Sequence, residues 1–131
     1  MTHALAAPFT RIQGFLHGYL QTGGNNGQMI DMLVAVAPAT IRRVIAVADA
    51  GGTGTVLDVR INGTSVWTNP ADRPTLAGGA GGRFLSGRIN RSAIQPGDVV
   101  SLVMVQAGNK TNLAATVALE DPGQRMAGTP S

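Results

Sequence analysis

Apolar and polar positions alternate with a period of two over several short stretches of this chain, and glycine, proline or asparagine interrupts each stretch. Phe15 to Gln21 predicts a first strand, with Phe15, His17 and Tyr19 on one side. Gln28 to Ala37 is ambiguous. Ile30, Met32, Val34 and Val36 fit strand alternation, while the Met and Ala content would also suit a short helix. Its shortness and the stop at Pro38 favour a strand. Ile41 to Ala48, Phe84 to Asn90, Val99 to Gln106 and Leu113 to Glu120 predict further strands. Both sides of Val99 to Val105 are apolar, as expected of a central strand or of one packed on a second subunit.

The strongest local signal is Asn62-Gly63, between Thr55 to Ile61 and Thr64 to Asn69. Asn-Gly tolerates positive φ at both central positions and so predicts a type I′ hairpin. That register sets Ile61 opposite Thr64, Arg60 opposite Ser65, Val59 opposite Val66 and Asp58 opposite Trp67. Leu57, Val59, Ile61 and Val66 then share the core face, and Asp58, Arg60, Ser65 and Trp67 the other. Two readings of Trp67 stand: an interface anchor beside Arg60, or a ring covered by another part of its own chain.

The pattern amounts to an all-β fold, an antiparallel sandwich or barrel of about seven to eight strands. Residues 1–10 read as a loose N-terminal arm, 11–122 as the domain and 123–131 as a C-terminal tail. Ala77 to Gly82 reads as a flexible loop.

Composition narrows the function classes. The chain has no cysteine, which removes disulfides and thiolate chemistry. Of its ten basic residues only Lys110 is a lysine, and the net charge is +3. That charge falls short of a nucleic-acid footprint, so no nucleic-acid partner is expected. No apolar stretch is long enough to span a bilayer as a helix, and the first residues lack a signal-peptide pattern. No membrane association and no Sec export are therefore expected.

Candidate chemistry is sparse. Ala50 to Thr55 (AGGTGT) follows a strand-like run, but Leu57 stands where the dinucleotide fingerprint needs a third glycine, and a strand follows instead of a helix. His3 and His17 have no metal-ligand spacing, and the serines lack a nucleophile elbow. The acids form no calcium loop. The expectation is a non-enzyme with no metal and no cofactor. Asn62-Gly63-Thr64 and Asn109-Lys110-Thr111 match the glycosylation pattern but coincide with turns. Arg73, Arg83, Arg88 and Arg91 lie in a stretch with no acid between Asp72 and Asp98, suited to an acidic surface or simply to solvent.

The segment from Ala37 to Leu76, APATIRRVIAVADAGGTGTVLDVRINGTSVWTNPADRPTL, resembles a pattern found in tailed-bacteriophage virion proteins. The shared features are an AP…I..V.A strand, a Gly-Thr-Gly loop, the hairpin around Asn62-Gly63 and an Arg-Pro-Thr segment. GDVVSLVMVQAG, Gly97 to Gly108, and LAATVAL, Leu113 to Leu119, extend the likeness to roughly residues 37–120. The resemblance implies a jelly-roll-like sandwich displayed on a virion, commonly trimeric, and supplies no catalytic residues. The short chain favours a capsid decoration (cement) protein on the head surface, bound to the major capsid protein. The alternative is a head-fibre or tail-fibre module that binds a host receptor or glycan. On either reading, the expected interface residues are Leu5 and Phe9 of the arm together with Arg60, Trp67, Arg83, Arg88 and Arg91.

Overall fold

A computed structural model describes residues 12–21, 24–79 and 81–120. Among these residues ten strands run in chain order: β1 Ile12–Leu20, β2 Gln28–Val34, β3 Ala39–Ala48, β4 Thr55–Ile61, β5 Thr64–Ser65, β6 Thr75–Leu76, β7 Gly82–Leu85, β8 Ala93–Ile94, β9 Val99–Gln106 and β10 Leu113–Glu120. A 3-10 turn at Pro70–Asp72 is capped by the Asn69 side chain. All strand pairs are antiparallel and form two sheets. The first has the order β1-β10-β3-β7, with β8 also on β3; the second has the order β2-β9-β4-β5, with β6 also on β4. The chain crosses repeatedly from one sheet to the other, and its last two long strands insert beside its first two. This is the jelly-roll path.

Strand alternation places the core. β10 has a strict buried and half-buried alternation, and its inward residues Leu113, Ala115, Val117 and Leu119 meet Leu16, Ile41, Val44 and Ala46. On the second sheet Leu57, Val59 and Ile61 of β4 and Val100, Leu102 and Met104 of β9 face them. β9 is the central strand between β2 and β4; its inner side faces the core, and Val103 on its outer side is buried beside Met29 and Asp58.

β2 is a strand, so the helical alternative falls. Its alternation is not the simple one, because a bulge between Met29 and Asp31 adds a residue and shifts the phase. Ile30 and Leu33 therefore pack on the core, while Met29, Met32 and Val34 face out. The two expected strands at Thr64 to Asn69 and Phe84 to Asn90 stop early, at Ser65 and Leu85. Both segments leave their sheets to join each other, as described below.

At one end of the sandwich three glycine-bearing loops meet backbone to backbone. Thr53 N–H donates to Gly108 O at 2.6 Å, and Gly79 N–H to Gly52 O at 3.1 Å. A Cβ on Gly108 would collide with the carbonyl oxygens of Thr53 and Gly54. The loop containing Gly78 and Gly79, expected to be slack, is tied down by its backbone. Beneath these loops Lys110 is buried and its Nζ donates to Gly51 O at 2.8 Å.

Candidate interaction surfaces

The hairpin forms as its turn residues dictate. Asn62 and Gly63 have φ of 52° and 85°, and Arg60 pairs with Ser65 and Ile61 with Thr64. Val66 N–H reaches Val59 O at 2.9 Å. Beyond that point the expected register fails: Trp67 does not come to lie opposite Asp58 on an open face. The Ser65 hydroxyl accepts the Trp67 backbone N–H, and the indole enters the core cluster at 2% exposure. Its Nε1 points to Gly87 O at 3.4 Å.

The partner that covers Trp67 is residues 86–91. Asn90 and Arg91 donate their backbone N–H groups to Val66 O, Gly87 N–H donates to Asp72 O, and Thr68 N–H donates to Asn90 Oδ1. This strap closes the side of the sandwich between the short strands of the two sheets. Of the two readings of Trp67, the ring covered by its own chain is the one the fold realises.

Asp58, expected on an exposed polar face, is fully buried. Arg60 Nε donates to its Oδ2 at 3.0 Å, Ser65 Oγ donates to its Oδ1 at 2.7 Å, and Arg73 Nε lies 3.6 Å from Oδ1. A buried carboxylate needs this number of partners, because an unpaired charge out of water is costly. Arg60 is thus committed to its own chain, with a side chain 36% exposed. Arg83, Arg88 and Arg91 are exposed on β7 and the strap, and make no ion pair within 4 Å among the described residues. Leu5 and Phe9 lie outside the described residues. Among those described, no group of three or more His, Asp or Glu side chains is placed to hold a metal ion.

Two surfaces remain that composition alone did not single out. The first is the outward side of β2, an edge strand, where Met29, Met32 and Val34 are each more than half exposed and Val36 beyond them is 90% exposed. The adjacent edge, β1, is clasped to it. Asp31 Oδ2 accepts the His17 backbone N–H at 2.9 Å, and Gly18 leaves room for Ile30, which a Cβ would strike. The second surface is a groove of about 410 Å³ along β3, between β7 and β8. The outer face of the first sheet continues from it. His17 and Tyr19 project there as expected, opposite Thr116 and Ala114, and the Phe15 side chain lies outside the described residues.

In comparisons with known proteins, the chain matches no protein-family model and no curated protein.

Proposed function

We propose that this chain is a non-catalytic structural module of a tailed-phage virion: a capsid decoration protein that binds the major capsid protein on the outer head surface and reinforces it. Its favoured state is a homotrimer. The observation that carries the assembly part of this reading is the β2 stripe. An edge strand with a row of exposed Met and Val side chains is a surface that another chain covers. The jelly-roll path is the one that the sequence resemblance implies, and that resemblance supports a place on the virion surface. Repeated shallow contacts on a symmetric particle gain strength through avidity.

A glycan-binding module would use an exposed aromatic ring as a stacking platform for a sugar, and Trp67 is the single tryptophan of the chain. With the indole buried against the strap, that ring has no open face to offer.

The test is co-sedimentation of the purified protein with mature capsids stripped of it, with host cells as the parallel target. Saturable binding to capsids and none to cells is the expected result. Binding to cells alone would overturn it and move the protein to the adhesin class.

A further inference from the structure

β3 has ladder partners along its outer side at both ends but not in the middle. Ile45–Ala48 pair with β7, and Ala39 and Thr40 pair with β8. Between them only two backbone bonds cross to the neighbouring segment: Ile41 N–H to Ser92 O at 2.8 Å, and a long one from Ser86 N–H to Val44 O at 3.4 Å. Neither Arg42 nor Arg43 makes a backbone hydrogen bond to residues 86–92. The cause is the strap, which leaves β3 at Ser86 to seal Trp67 and returns at Ser92.

The gap so formed is the groove of about 410 Å³. Its lining combines three hydroxyls, of Thr40, Ser86 and Ser92, with Arg42 and Arg43 and the apolar side of Ile89. Arg42 is paired with Glu120 at 3.4 Å, while Arg43 is exposed and has no ion pair among the described residues. No acidic residue lines the groove. Leu85, on its rim, is 61% exposed.

The geometry points to this gap as a docking groove for an extended acidic segment of a partner protein. An extended segment laid along the groove would be held by side chains, because Ile41 N–H and Val44 O already bond across the gap and Arg43 pairs with Ala118 of β10. A carboxylate on it would pair with Arg43, whose planar guanidinium suits a two-pronged carboxylate contact. Hydroxyls favour a polar backbone or acid group over an apolar plug. Nucleic acid fits less well, because the groove offers no aromatic platform for bases. The groove is separate from the β2 stripe, so the inference stands whether or not the domain serves a virion.

The experiment is fluorescence anisotropy with a labelled octapeptide of alternating Glu and Val, compared with its Gln-for-Glu counterpart and with oligo(dT) as competitor. Saturable binding is expected for the acidic peptide, at least tenfold weaker for the Gln form and weakened by salt. Arg43→Glu should reduce it at least tenfold, while Thr64→Glu, which adds a negative charge on the distant hairpin, leaves it unchanged. Equal binding by Arg43→Glu, equal binding of the Gln peptide, or no binding at millimolar peptide would each overturn the proposal. Full displacement by oligo(dT) would overturn it in favour of a nucleic-acid surface.

Discussion

Trp67 shows how one side chain can change role between sequence and fold. The Asn62-Gly63 turn places it on the outer face of a hairpin, but a strand of only two residues carries it no further than Ser65. The indole is large enough that covering it outweighs extending the ladder, and the strap supplies the cover. Trp67→Ala should therefore cost about 3–5 kcal/mol in urea unfolding followed by circular dichroism. A cost below about 0.5 kcal/mol, the scale of a surface change, would mean that the ring is not part of the core. Asp58 obeys the same logic from the polar side. Its partners Arg60, Ser65 and Arg73 come from β4, β5 and the segment after the 3-10 turn, so no local pattern could announce it as buried.

Among elements, the connection between β8 and β9 has the clearest local cause. In Gln95-Pro96-Gly97-Asp98, Asp98 Oδ2 accepts the Gln95 N–H and its Oδ1 accepts Asn62 Nδ2, both at 2.9 Å. Asn62 Oδ1 in turn accepts the Val99 N–H, so the turn of one hairpin is tied to the start of β9. The bond from Gln95, then that from Asn62, holds the Asp98 carboxyl below the usual aspartate range; slight desolvation opposes them and Arg91 adds to them. A carboxyl depressed in the folded state stabilises the fold above its unfolded pKa, about 3.9. That contribution is lost as pH falls through the lower folded value. Thermal melts from about pH 7 to about pH 2 should show Asp98→Asn less stable near neutrality and level with the parent at the acid end. A difference that stays constant across that range would remove the carboxylate from the account.

At the scale of the whole molecule, the two sheets differ in how they meet solvent. The first sheet presents small side chains, Ala114, Thr116 and Ala118, along its central β10. The second ends in β2, whose bulge turns Met29, Met32 and Val34 outward. The bulge and the Asp31 clasp are the kind of device that blunts an edge against indiscriminate pairing, and in the proposed self-association the exposed methionines form the contact. Met32→Lys should shift sedimentation velocity from oligomer towards monomer without lowering the thermal midpoint of the monomer. An unchanged oligomer would place the contact elsewhere, and a monomeric parent protein would remove the self-association altogether.

The sequence by itself determined the all-β class, the bounds of β9 and β10 and the type I′ hairpin, because period-two alternation and Asn-Gly turn chemistry act between neighbours in the chain. It also placed Leu57, Val59, Ile61 and Val66 inside, since one register decides all four. Only the tertiary structure decided the phase of β2, the burial of Asp58 and Trp67, and the gap along β3. Each depends on a segment distant in sequence: β9 opposite the bulge, Arg73 beside Asp58, and the strap that leaves β3 to cover Trp67. Alternation records which side of a strand a residue faces, but not what the rest of the chain lays over that side.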